Sequence, residues 1–176
     1  MPQQPVSFEA YPAERFIEIA MAWADHAWPI TAEQAQRVYE SLGYHAYPPD
    51  PSLFISDLSA DGEPDSYYTA TGKHINSIRP AIARRCPLEE EARYAALVSD
   101  TYTQYRSAFD RTFNHVAKHV RGSRSDEWTL DNDMRFRIGD IGTTITFVIH
   151  SPRMTQLRRE EESMGLASYD EILEDD

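Results

Sequence analysis

The longest helical stripe of the sequence lies in the middle of the chain with strand signals on both sides, and this order restricts the fold more than any other feature. From Pro87 to about Val120, residues Leu88, Ala92, Ala95, Tyr102, Tyr105, Phe109, Phe113, Val116 and Val120 recur at spacings compatible with a helix. Pro87 with Glu89, Glu90 and Glu91 suits a helix start, and Arg121-Gly122 suits its end. A helix of that length, about 50 Å at 1.5 Å per residue, must cross a whole sheet or break once. Strands gathered in two groups around one helix, rather than alternating with helices, imply an antiparallel sheet and an α+β fold.

The flanking segments fill in this plan. Phe16, Ile19, Ala20, Trp23 and Ala27 form one helical stripe behind Pro12. Thr31-Ala32-Glu33-Gln34 is a capping box, with Ile30 placed to staple against Ala35, and it opens a second helix that ends at Gly43. Tyr47-Pro48-Pro49-Asp50-Pro51 forbids helix and reads as a stiff connector. Leu53–Ile55, Tyr67–Thr69 and His74–Ile78 read as strands, with Asp61-Gly62 as a turn. Beyond the long helix, Trp128 and Leu130 start a strand, and Arg135–Ile138 turns through Gly139-Asp140-Ile141-Gly142 into Thr143–Ile149. Ser151-Pro152 opens a last helix, stopped near Gly165. The expectation is two N-terminal helices, an antiparallel sheet of about five to six strands interrupted by one long helix, and a C-terminal helix. These form a single domain over residues 1–165, followed by an acidic tail over 166–176.

Composition bounds the function. With 176 residues, 41% of them hydrophobic, the chain can bury a core without covalent staples. Cys86 is the only cysteine, so no intrachain disulfide and no cysteine-based zinc site can form, which suits a reducing, cytoplasmic setting. The first residues lack the basic and apolar regions of a signal peptide, and no apolar run approaches the ~18–20 residues of a membrane span. The net charge of −12 repels phosphate backbones and anionic lipids, so nucleic acid and membrane are not the expected partners and a basic protein is. After Arg159 there are eight acids and no base, among them Glu160, Glu161, Glu162 and Asp170.

Catalytic motifs are sparse. His115 and His119, at helical i, i+4 spacing, would share a face and could ligate a metal, although the glutamate of a metalloprotease motif is missing. Asp131-Asn132-Asp133 resembles part of a calcium loop but lacks its glycine and terminal glutamate, and reads as a turn. Cys86, between Arg85 and a helix start, is the one candidate nucleophile, although a buried thiol is the simpler reading. No phosphate loop, dinucleotide fingerprint or nucleophile elbow occurs. The expectation is a non-catalytic protein without a cofactor, with a metal- or thiol-dependent enzyme using His115 and His119 or Cys86 as the alternative. Tyr44, Tyr47, Tyr67 and Tyr68 lie beside prolines and are of the type that anchors interfaces, with packing under the long helix as the alternative for them, and with Glu160, Glu161, Glu162 and Asp170 they form the candidate binding set.

The order of an opening helix, Ala27-Trp28-Pro29-Ile30-Thr31 leading into a helix that ends Leu42-Gly43-Tyr44, strands, a long helix, Trp128 and a closing hairpin carries a resemblance. It resembles a family of small uncharacterised actinobacterial proteins considered with polymorphic-toxin and type VII secretion loci. The resemblance implies an immunity protein or a chaperone and carries no catalytic residues over; with the net charge of −12, the expectation is sequestration of a basic toxin or effector. The element order is also similar to that of small bacterial secretion chaperones, which hold a client protein.

Overall fold

The structure, a computed structural model, describes residues 7–165. Along the chain run β1 (Glu9–Ala10), α1 (Ala13–Ala24), α2 (Ala32–Ser41), β2 (His45–Tyr47), β3 (Asp50–Ile55), β4 (Ser66–Thr71), β5 (His74–Arg79) and β6 (Ala83–Arg84). A 3-10 turn, Leu88–Glu90, then leads into α3 (Glu91–Thr112), followed by β7 (Val116–Arg121), β8 (Ser125–Leu130), β9 (Arg135–Asp140), β10 (Ile145–His150) and α4 (Pro152–Ser163). The fold is α+β. Eight strands form an antiparallel sheet in the order β2-β3-β4-β5-β10-β9-β8-β7, and β1 pairs with β6 in a separate two-stranded sheet. Residues 166–176, expected as an acidic tail, lie outside the described residues.

Local sequence accounts for most element boundaries. The Thr31 hydroxyl accepts from the Gln34 amide at 3.2 Å while the Gln34 side chain accepts from the Thr31 amide at 3.0 Å, which closes the capping box that starts α2. Ser151 caps α4 by accepting from Met154 N–H at 3.2 Å, with Pro152 where its missing donor costs nothing. Asp131-Asn132-Asp133 is the turn between β8 and β9, where Asp133 takes a φ of 73° and the Asn132 side chain accepts from Met134 N–H.

Two expectations need correction. The middle helix stops at Thr112: Phe113 has extended backbone, and Val116–Arg121 is the edge strand β7, paired with β8. Residues four apart share one face of a strand as well as of a helix, so Val116 and Val120 fitted either pattern. At the other end of that stripe Leu88 is 74% exposed, and the buried side of α3 is Val98, Thr101, Tyr102, Tyr105, Ala108 and Phe109. The segment Tyr47–Pro51 is no stiff connector: Tyr47 pairs with Asp50 across a tight turn made by Pro48 and Pro49, which joins β2 to β3. These two additional strands bring the sheet to eight.

Helices α1, α2 and α3 cover one face of the sheet. Phe16 on α1 stacks on Tyr105 of α3 at 4.5 Å and meets Phe147 of β10 edge-on at 5.1 Å, while Phe109 stacks on Trp128 of β8 at 4.1 Å. Helix α4 lies on the other face. Neighbouring residues of β8 show the division, since Trp128 donates to Asp110 on α3 at 2.9 Å and Glu127 accepts from Arg158 on α4 at 2.9 Å. No helix among the described residues is long and apolar enough to cross a membrane.

Candidate functional site

The sheet is split at its centre. Strand β10 pairs with β9 along its whole length but meets β5 only where Ile149 faces Ile78 and His150 faces Ser77. The next hydrogen-bonded position would place Phe147 opposite Pro80, which has no N–H to give. Beyond Arg79 the chain leaves the sheet: Ile82 is buried in the core, its carbonyl accepting from Tyr11 N–H at 2.9 Å, and β6 pairs with β1. The chain returns at Cys86, whose N–H donates to the Thr143 carbonyl at 3.0 Å. Between these two closures lies a groove of about 1130 Å³, walled by Thr144–Val148 on one side, Arg79–Pro87 on the other and the 58–65 loop.

The loop gives the groove an acidic lip. Asp61 accepts from Glu63 N–H at 3.0 Å, and chiefly this bond holds its carboxyl below the ordinary aspartate value. Asp65 accepts from Ser56 N–H at 2.9 Å, and Glu63 is exposed between them. Opposite, Arg84 is held by Glu9 at 3.3 Å and donates to the Leu58 carbonyl at 2.5 Å, Arg79 lies over the Tyr67 ring, and Arg85 is exposed. Cys86 lies in this wall. Burial, and then the carboxylates of Glu91 and Glu90, push its thiol above the ordinary value, the reverse of what an activated nucleophile needs.

The structure disperses the residues chosen from sequence. Tyr67 lines the groove, whereas Tyr47 and Tyr68 are half-buried elsewhere on the sheet. Tyr44 is a core residue whose hydroxyl donates to the Ala81 carbonyl at 2.7 Å, and it has no ring surface to offer a partner. Glu160, Glu161 and Glu162 lie on α4, where Glu162 pairs with Arg158 at 3.3 Å beside a cavity of about 280 Å³ that Lys118, Arg135, Arg137 and Arg159 also line. Asp170 lies outside the described residues. His115 and His119 do not share a ligand position. His115, 90% exposed, is 3.7 Å from Asp131, while His119 stacks on Trp128 with its Nε2 2.8 Å from Asp126.

Sequence reading missed Asp126. Its carboxylate has no solvent exposure and accepts from the Tyr102 hydroxyl and from Arg106 Nε at 2.5 Å, in addition to its contact with His119. Burial, and then the hydrogen bond to Asp126, push the Tyr102 hydroxyl up to about 12. The only sequence signal was the i, i+4 spacing of Tyr102 and Arg106, because Asp126 and His119 come from two other elements. This network joins α3 to β7 and β8, and it lies apart from the groove lining.

A family model matches residues 14–151. The chain belongs to DUF6301, a family of unknown function. No curated protein matches this DUF6301 chain, and no solved structure does. The matched span runs from α1 to Ser151, the cap of α4, so it takes in both the 58–65 loop and the β10 wall of the groove. Helix α4, with Glu160, Glu161 and Glu162, follows it in the chain.

Proposed function

We propose that this DUF6301 protein acts by binding another protein, a basic toxin or effector, and holding it inactive as an immunity protein does. The groove carries the reading, because it is an opening in the middle of a packed sheet, bordered by Asp61, Glu63 and Asp65. Charge supports it. Five acids follow Gly165 and no charged residue precedes Ser7, so residues 7–165 carry −7 of the net −12. A field of that sign speeds and orients encounter with a basic surface and weakens with salt. A secretion chaperone is the second reading, favoured by the same groove, since an open strand edge suits an extended client.

The test titrates the purified protein against the protein encoded by the adjacent gene. The expected result is a one-to-one complex at low salt whose association slows by about tenfold in an Asp61→Lys, Glu63→Lys variant. Absence of a complex at low ionic strength, where charge-steered association is fastest, would overturn the reading. A chaperone is distinguished by binding that protein only before it folds.

A further inference from the structure

The backbone of β10 specifies what the groove accepts. Hydrogen bonding alternates along an antiparallel strand, each residue directing both its N–H and its C=O to one neighbour. Ser151 N–H donates to the Asn76 carbonyl on the β5 side, and the Thr143 carbonyl accepts from Cys86 on that same side. In contrast, the Thr144 carbonyl accepts from Ile141 at the turn from β9. Odd-numbered residues of β10 therefore face β5, and even-numbered ones face β9. Ile149 and Ser151 are satisfied by β5 and Thr143 by Cys86, which leaves Ile145 and Phe147. Their N–H and C=O groups face the groove and have no hydrogen-bond partner among the described residues. Both residues are 3% exposed, with side chains in the core, so neither can turn to find another partner. Unpaired N–H and C=O groups at two successive in-register positions of one strand edge are a ready template for pairing with another strand.

We propose that the groove takes an extended, basic segment of the partner protein as an added strand on β10, bonded to the backbone of Ile145 and Phe147. This rests on the reading of the chain as a protein-binding protein. Only an extended backbone offers donors and acceptors at the two-residue repeat that Ile145 and Phe147 present. The segment would enter where β5 would have continued had Pro80 carried an N–H. Its charge follows from the lip: with Arg84 paired to Glu9, Asp61, Glu63 and Asp65 outnumber Arg79 and Arg85. The segment's side chains toward the 58–65 loop are therefore basic.

The test is residue-resolved amide exchange with a probe hexapeptide of alternating lysine and valine, alongside the same peptide N-methylated at alternate residues. In the free protein the Ile145 and Phe147 amides should exchange about a hundredfold faster than those of Thr146 and Val148, which bond to β9. Adding the basic peptide should slow the Ile145 and Phe147 amides by about tenfold. The N-methylated peptide should leave them unchanged, and the Asp61→Lys, Glu63→Lys variant, altered only at exposed positions, should weaken the protection. Slow exchange of Ile145 and Phe147 without peptide, no protection with it, or equal protection by the N-methylated form would each overturn the proposal. Repeated with the partner, the measurement separates the two readings: a complex that leaves both amides exchanging freely overturns strand addition and keeps the binding role.

Discussion

At Asp126 on β8 one carboxylate without solvent exposure holds a tyrosine and an arginine of α3 and a histidine of β7. Replacing it by Asn keeps its size but leaves the Arg106 guanidinium beside a neutral group, and removing one partner of a buried pair costs about 3 kcal/mol. The Asp126→Asn protein should show that loss in urea unfolding, with Tyr102→Phe costing about 1 kcal/mol. Tyrosines set the alkaline limit. Burial raises the hydroxyl pKa of Tyr39, Tyr44, Tyr102 and Tyr105 above the ordinary value of 10.0. Below that value they are protonated in both states and their contribution to stability is complete. Above it the unfolded chain releases protons that the native fold retains, so stability is lost as pH rises. The melting temperature should hold to about pH 9 and then fall, with a shallower decline in Tyr44→Phe.

Among the elements, those bounded by local chemistry were legible. The capping box of Thr31 and Gln34 formed as read, and Thr31→Ala should cost about 1 kcal/mol, measured by urea unfolding. Ser151-Pro152 marked the start of α4 for the same reason: cap and first-turn residues act within a few positions of themselves. The stripe of α3 was legible only in its middle, where Tyr102, Tyr105 and Phe109 face the sheet. Its last turns were misread because Val116 and Val120 pair across to β8, a partner that no local pattern names. The tyrosines shared that limit. Tyr44 and Tyr67 are of one residue type in neighbouring segments, yet one ring is sealed in the core and the other borders the groove.

Across the whole molecule, the sheet consists of two meanders, β2–β5 and β7–β10, joined where Ile149 faces Ile78. Both isoleucines are fully buried, so Ile149→Ala should cost about 3 kcal/mol. Tyr105 of α3 donates to the carbonyls of Tyr11 and Ile82 while Phe16 of α1 packs on Phe147, so helices hold the two halves together. That variant should therefore still unfold in one transition, with amides of both meanders losing protection together. The sequence by itself determined the α+β class, the helix starts and the closing hairpin, because periodicity and capping are local. It also held the cause of the split, Pro80, without disclosing it. A proline that lacks a donor opens a sheet only if another strand lies beside it, and here that strand begins 65 residues later at Ile145. Tertiary structure alone brought Pro80 against β10, turned Ile145 and Phe147 toward an empty place in the ladder, and set Asp61 and Glu63 at its lip.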